Sequence, residues 1–140
     1  MALTQGLQEQ LNEQLLRASW DGDLDKVKDL IKQGADVHYK NDIAAEKASI
    51  SGHLEVLKYL NENGADILAS NDYVLRRAAY YKHLEIIKYL HQQGADFDSA
   101  IESADDSIKE ELTSYKEKIL LENDLKNVVT IKKTSSPFKT

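Results

Sequence analysis

The stretch that decides the fold reads Gly-His-Leu-Glu-Val-Leu-Lys-Tyr-Leu at residues 52–60 and continues to Gly-Ala-Asp at residues 64–66. Related nonamers lie 30 residues earlier and 30 residues later, at residues 22–30 and 82–90, and Gly-Ala-Asp recurs at 34–36 and 94–96. Three copies in register indicate an internal repeat. Periods of this length are typical of small supersecondary units stacked in an array.

The first half of each repeat is predicted to be a helix, which we call helix A. Asp42 and Asp72 each follow an asparagine and precede an apolar-periodic stretch, so they are predicted to cap this helix, with Asn12 as the matching cap of the first repeat. Residues at helical spacing then predict the inward face. These residues are Ala44, Ala45 and Ala48 in the second repeat and Val74, Leu75 and Ala78 in the third.

The second half of each repeat is predicted to be a shorter helix B. Its apolar residues recur at helical spacing, as Leu54, Leu57 and Leu60 and then as Leu84, Ile87 and Leu90. Left-handed residues are expected between the two helices, at Gly22, Gly52 and Lys82, and after helix B, at Gly34, Gly64 and Gly94. Because one such hairpin cannot bury its apolar face alone, the units must stack. The predicted fold class is therefore an all-α solenoid of helix-turn-helix repeats.

This repeat resembles the ankyrin repeat over roughly Leu7 to Asp96, through its small inward residues, Gly-His turn, aliphatic helix B and Gly-Ala-Asp exit. The unit has 30 residues where the family norm is about 33, and the missing residues fall between Asp36 and Asp42. The family's protruding finger is therefore expected to be a shortened connecting loop. The family's Thr-Pro-Leu-His opening is also absent. This short variety is similar to the ankyrin proteins of giant DNA viruses.

Both ends of the array are predicted to be caps. The first repeat has polar Gln14, Lys26 and Asp29 where the second has Ala44, Val56 and Tyr59, which is expected of a terminal repeat. After Asp96, two amphipathic stretches predict a degenerate C-terminal cap, and the lysine-containing end predicts a mobile basic tail. The predicted organisation is a single domain at 1–125, with repeats at about 7–36, 37–66 and 67–96, a cap at about 97–125 and the tail at 126–140.

The composition narrows the possible functions. A formal charge of −6 disfavours general binding to nucleic acid or to an anionic membrane. The absence of cysteine excludes disulfides, thiolate metal sites and a cysteine nucleophile. No signal peptide or membrane-spanning apolar run is evident, so an intracellular, cytoplasmic protein is expected, in the host cytoplasm if the chain is viral.

No catalytic or cofactor-binding motif is found in the sequence. It lacks a Gly-rich phosphate loop, His-Glu-x-x-His and Gly-x-Ser-x-Gly. His53 and His83 recur at the repeat spacing and are interpreted as turn residues bonded to nearby backbone, while His38 and His91 have no ligand-spaced partner. We therefore expect neither an enzyme nor a cofactor, and no metal site.

The candidate binding residues are aromatic, aliphatic and basic positions on helix A, because in ankyrin-like stacks the inner helices line a concave face that usually holds the partner. Aromatic and arginine side chains are what protein interfaces favour as energetic anchors. Two alternatives stay open, that the aromatic residues pack between helices and that the basic residues pair internally with Glu46 or Asp21. The candidates are Arg17, Trp20, Ile43, Lys47, Ile50, Tyr73, Arg77, Tyr80 and Tyr81.

The sequence thus predicts a monomeric protein–protein interaction module whose partner has acidic and apolar character. The alternative is a structural protein that associates with itself through the C-terminal amphipathic helix at 105–129. That helix carries Ile108, Leu112, Tyr115 and Ile119, and Leu120, Leu121, Leu125, Val128 and Val129 extend the apolar pattern. A third interpretation is that the first four simply dock this helix onto the last repeat.

Overall fold

The computed structural model describes residues 3–134, without the side chains of residues 70, 71 and 130–134. In this range the chain forms eight helices and no strand. The helices are α1 (Gln5–Asp21), α2 (Leu24–Gln33), α3 (Tyr39–Ser51), α4 (Leu54–Glu62), α5 (Ala69–Tyr80), α6 (Leu84–Gln92), α7 (Phe97–Ser103) and α8 (Asp106–Thr134).

Consecutive helices form hairpins that stack in chain order. Helices α1, α3, α5 and α7 make one layer, which we call the A layer, and α2, α4 and α6 make the B layer. Neighbouring helices pack more extensively within the A layer than within the B layer. The predicted all-α solenoid of helix-turn-helix repeats is confirmed.

Small side chains explain the close approach of the A-layer helices. Ala44, Ala45 and Ala48 of α3 are fully buried, as are Leu75 and Ala78 of α5. Alanine adds little width between two helix backbones, whereas the B layer contributes larger side chains such as Leu57 and Leu60 of α4. The predicted inward faces of both helices are confirmed. The polar first-repeat residues Gln14, Lys26 and Asp29 are exposed, as expected of a terminal repeat.

The predicted helix caps at Asn12, Asp42 and Asp72 were wrong. Helix α1 begins two turns earlier than expected and is capped by Thr4, whose hydroxyl accepts a hydrogen bond from the Leu7 N–H, so Asn12 lies inside the helix. The Asn12 side chain instead accepts the backbone N–H of Asp36 at 2.7 Å. Asp72 accepts the N–H of Asp96 at 3.3 Å, so this repeat position fastens the loop that follows helix B.

Asp42 has a different role because the connecting loop is short. Lys40, Asn41 and Asp42 all adopt left-handed backbone conformations, with φ of 49°, 59° and 61°. This left-handed kink lies within the bounds of α3, near its start, in the region where the resemblance predicted a shortened loop. The Asp42 carboxylate accepts a hydrogen bond from His38 Nδ1 at 2.7 Å. The predicted tight loop is confirmed.

The turns between helices A and B are left-handed in all three repeats. The backbone φ is 75° at Gly22, 81° at Gly52 and 63° at Lys82, as predicted. The imidazole of His83 reaches back to the preceding repeat, where its Nε2 donates to the carbonyl of Ile50 at 2.8 Å. The interpretation of His83 as a turn residue bonded to backbone is confirmed. The glycines that follow the B helices are left-handed as well.

The C-terminal helices close the open end of the stack. Helix α7 packs on α5, and α8 contacts α5, α6 and α7. Ile108, Leu112 and Ile119 of α8 are buried in this contact, so they dock the helix onto the last repeat. The helix continues to Thr134, whereas a mobile tail was predicted from residue 126. The rest of that predicted tail, 135–140, lies outside the described residues.

Candidate functional site

The candidate residues of helix A differ in their exposure. Trp20, Tyr80 and Tyr81 are exposed, with 45%, 53% and 42% of their surface accessible. The interpretation of Trp20 and Tyr80 as packing residues is therefore excluded. Ile50, at the equivalent position of the central repeat, is only 8% exposed. Ile50 therefore offers a partner much less surface than Trp20 or Tyr80 does.

The first cluster of candidates surrounds Trp20. The Lys47 ammonium lies over the Trp20 ring, 5.4 Å from its centroid, so α1 and α3 together form this contact. Arg17 lies beside them and pairs with Asp21 at 3.2 Å. These residues line a shallow groove of about 690 Å³, to which Glu13 and Leu16 also contribute. We call it the Trp20 groove.

Glu13 gives the Trp20 groove a fixed carboxylate. The Tyr39 hydroxyl donates to Glu13 Oε1 at 2.7 Å, and the Lys40 ammonium lies 3.2 Å from the same oxygen. The hydrogen bond from Tyr39, followed by the one from Lys40, holds the pKa of Glu13 below its ordinary value. Glu13 is therefore ionised at neutral pH, so the groove presents charges of both signs.

The second cluster lies at the other end of the A layer, around Arg77. Its guanidinium is 5.7 Å from the centroid of the Tyr73 ring and 5.6 Å from that of Tyr81, and its Nε is 3.8 Å from a Glu46 oxygen. The rings of Tyr80 and Tyr81 meet edge to face at 5.0 Å. Stacking on aromatic rings orients a guanidinium while leaving its edge open to hydrogen bonding. This arrangement borders a pocket of about 260 Å³, which we call the Arg77 pocket.

Internal pairing of the basic column, which the sequence left open, is confirmed for two of its three members. Arg17 pairs with Asp21, and Arg77 with Glu46. The Arg17–Asp21 pair is substantially exposed, so it is worth about 1 kcal/mol or less, and a ligand carboxylate can compete for Arg17. The Arg77–Glu46 pair is more buried, with side chains 34% and 23% exposed. The third member, Lys47, contacts the Trp20 ring.

The nine candidate residues do not form one continuous site. Arg17, Trp20 and Lys47 line the Trp20 groove, and Tyr73, Arg77 and Tyr80 line the Arg77 pocket. Tyr81 joins the second cluster through its ring contacts, buried Ile50 lies between the clusters, and half-buried Ile43 lines neither groove.

Three residues that line the Trp20 groove or the Arg77 pocket were not predicted from the sequence, although their positions in the repeat could have indicated them. Glu13 is the first-repeat counterpart of Ile43 and Tyr73, and Leu16 and Arg76 occupy another shared column. Arg76 lines the Arg77 pocket and donates to the carbonyl of Ser103 at 3.3 Å. Aligning every exposed column, rather than the aromatic and basic ones alone, would have found them.

The described part of the chain offers no grouping for metal or acid–base chemistry. No set of three or more histidine, aspartate or glutamate side chains converges there in a geometry that could hold a metal ion. His38 pairs with Asp42, and the His91 ring lies against Phe97 with centroids 5.4 Å apart. No helix within residues 3–134 is long and apolar enough to cross a membrane.

Stacked helical hairpins with an exposed aromatic and basic surface define a repeat protein of the solenoid class, whose usual work is to bind other proteins. The family model for ankyrin repeats matches three copies across residues 15–101, more than half of the chain. The chain belongs to the ankyrin repeat family. Ankyrin repeats are generally protein–protein interaction modules and typically non-enzymatic. No curated protein matches the chain.

Proposed function

We propose that this chain binds a partner protein through the A-layer surface, with Trp20 and Tyr80 as the two apolar anchors. The observation that carries the proposal is the exposure of these two large aromatic side chains at the same repeat position. Exposed aromatic rings next to basic groups are the composition of interface hot spots.

The spacing of the clusters suits an elongated partner segment. The Trp20 groove and the Arg77 pocket belong to the first and third repeats, and buried Ile50 forms a low apolar floor between them. A segment with an apolar side chain near each end would fill both clusters. Its carboxylates would meet Arg17, Lys47 and Arg77, so the proposed partner segment has acidic and apolar character.

Capture of partners from a cell extract by purified variants tests this proposal. Tyr80→Ala and Trp20→Ala remove exposed rings and should leave the fold intact, which circular dichroism would verify. We expect each to weaken capture of the same specific protein by about thirtyfold, the effect of about 2 kcal/mol at a central anchor.

Two control variants make this result specific. Leu121→Ala removes an equally exposed apolar side chain from α8, and Glu55→Lys changes a charge on the B layer. Both should retain capture. A partner that is lost with Glu55→Lys but kept with Tyr80→Ala would assign binding to the B layer and overturn the proposal.

We also propose that this interaction takes place in the cytoplasm. The cysteine-free composition supports a reducing compartment. The 30-residue unit supports a relation to the ankyrin proteins of giant DNA viruses, in which case the compartment is that of the host. Microscopy of infected or expressing cells with a tagged chain tests the assignment, which secretion of the chain would contradict.

A further inference from the structure

The distal half of α8 leaves the body of the protein and carries an apolar stripe without a docking partner in the described chain. From Leu120 to Val129 every residue except Glu122 is exposed. Leu121, Leu125 and Val128 stand out, with 61%, 57% and 48% of their surface accessible. Helix α8 is about 43 Å long at 1.5 Å per residue, so its last four turns reach well past the packed part.

This stripe is not a continuation of the face that docks α8 onto the stack. With 100° of rotation per residue, Leu121, Leu125 and Val128 centre on a direction roughly 150° away from that of Ile108, Leu112 and Ile119. The docked residues are buried, so they cannot serve as the self-association surface that the sequence allowed. A helix whose first half uses one face for docking therefore offers a second face in its other half.

The spacing of the exposed stripe is that of a helix–helix seam. Leu121, Leu125 and Val128 follow a 4–3 pattern, which places them at d, a and d positions of a heptad. Such a seam is narrow, and it matches a second helix better than a broad surface. Lipid binding would instead favour a wide apolar face opposite a uniformly basic one, and here Glu122 and Asp124 interrupt the basic residues.

The charge distribution along α8 favours one relative orientation of two paired α8 helices. Before the centre of the seam the helix carries Glu117, Glu122 and Asp124 against Lys116 and Lys118, and Glu122 also pairs with Lys88 of α6 at 3.3 Å. Residues 126–134 contain three lysines and no acidic residue. Two copies in parallel would bring the lysine-containing ends together. Two copies in antiparallel orientation would bring the acidic part of each helix beside the lysine-containing part of the other, which is favourable for both.

We propose that this chain forms a weak antiparallel homodimer through the distal half of α8, with Leu121, Leu125 and Val128 as its seam. The proposal departs from the monomer expected from the sequence and is independent of the proposed function, because the A-layer surface lies elsewhere. The arrangement is isologous, so one stripe supplies both halves of the interface.

Sedimentation velocity of the full chain tests the dimer. The interface is small, so exchange between monomer and dimer is expected between about 10 µM and 1 mM. Leu125→Glu places two like charges near the axis and should weaken association at least tenfold. Leu120→Glu is the matched control, since Leu120 is exposed but points about 100° away from the seam. It should leave association unchanged.

Single cysteines test the orientation, because the natural chain has none. Leu125→Cys lies near the axis and should form an intermolecular disulfide under mild oxidation. Lys118→Cys lies on the same stripe one heptad earlier, so in an antiparallel pair its two copies stand about 21 Å apart and should not link. Linking of both variants indicates a parallel pair and overturns the orientation.

Two further results would overturn the dimer itself. One is a single monomeric species throughout the concentration range, and the other is an equal loss of association in Leu120→Glu and Leu125→Glu. Co-sedimentation with vesicles of phosphatidylserine and phosphatidylcholine, without self-association in solution, would assign the stripe to a lipid surface instead.

Discussion

The imidazole of His83 occupies the space that a side chain on Gly52 would need. A β-carbon at Gly52 would lie 2.7 Å from His83 Cε1 and 2.9 Å from its Nδ1. The same relationship joins Gly22 to His53, where the closest atom would be 2.4 Å away. Glycine is thus required at these turns by the left-handed backbone and also by the histidine of the next repeat.

The first prediction follows from this contact. Gly52→Ala should destabilise the protein by more than the roughly 1–2 kcal/mol that a left-handed alanine costs, because His83 must also shift and lose its hydrogen bond to Ile50. Gly64→Ala is the control, since its nearest neighbour would be 3.6 Å away and only the backbone cost remains. Urea denaturation of both variants measures the difference. Equal losses would show that the His83 contact carries no strain.

Lys82 provides the second prediction, because it holds a left-handed conformation without glycine's freedom. Lys82→Gly should raise stability by about 1 kcal/mol and the melting temperature by a few degrees. The exposed ion pair of Lys82 with Glu111, at 3.6 Å, opposes this only slightly. Lys82→Ala loses the ion pair but keeps the strain, so its melting temperature should not rise. A rise in both variants would point to the lysine side chain rather than the backbone.

The third prediction concerns Asp72, whose pKa is raised mainly by burial, against the opposing effect of the Asp96 N–H. The folded-state pKa of this carboxyl lies above its unfolded value, 3.8. Its ionised form therefore lowers the free energy of unfolding at neutral pH, and this free energy rises as the pH falls through the folded-state pKa. Asn12 fills the same repeat position as a neutral amide and accepts the equivalent N–H.

Asp72→Asn should therefore raise the melting temperature at pH 7, with a gain that shrinks as the pH approaches 3.8. Thermal melts of wild type and variant across this range measure the difference. Asp66→Asn, at an exposed position, is the control and should show no comparable gain. A gain that grows towards acid pH would contradict the direction of the pKa shift.

A fourth prediction distinguishes residues of the A-layer surface that speed association with the partner from residues that slow its dissociation. Arg17 has an exposed side chain that lines the Trp20 groove, so Arg17→Glu should slow association with the partner and barely change dissociation. The defect should shrink between about 50 and 500 mM salt, as screening shortens the range of the charge. Surface plasmon resonance measures both rates. A faster dissociation that does not change with salt concentration would instead show that Arg17 holds the bound partner.

A fifth prediction tests the cooperativity of the stack. Leu57 is fully buried in the central repeat, and Leu57→Ala should cost about 2–5 kcal/mol through the cavity that it leaves. Each repeat is stabilised chiefly by its neighbours, so fluorescence of Trp20 and circular dichroism should report one shared transition. Leu121→Ala, at an exposed position, should change stability by less than about 0.5 kcal/mol. Separate transitions would mean that the first repeat unfolds on its own.

Repetition determined which parts of the fold were predictable. The inward positions of the central repeats and the left-handed turns recur every 30 residues, and the predictions about them were confirmed. Asn12 was misassigned because α1 extends beyond the repeat to Gln5, so Asn12 lies inside the helix. Helix α8 has no repeat counterpart, so it could be predicted only from its own apolar pattern. That pattern does not show at which residue the helix stops packing on the stack.

The binding surface was less predictable for a related reason. A column of equivalent residues shares a position in the repeat but not a degree of exposure, and the sequence pattern alone does not give the exposure. Trp20 and Tyr80 are exposed while Ile50 is buried. The pairing of Arg77 with Glu46 joins side chains of two adjacent helices. The sequence spacing could therefore suggest this ion pair only as an alternative.

The contact between the turn glycine of one repeat and the histidine of the next also bears on where a further repeat could be inserted. A repeat with glycine at its turn accepts a following repeat with histidine, and Lys82 breaks this rule at the point where the repeats give way to α7 and α8. A copy of residues 37–66 inserted after residue 66 would meet a matching partner at both junctions. A copy inserted after residue 96 would set its histidine against the Lys82 side chain. We therefore expect a duplicated repeat to be tolerated better after residue 66 than after residue 96.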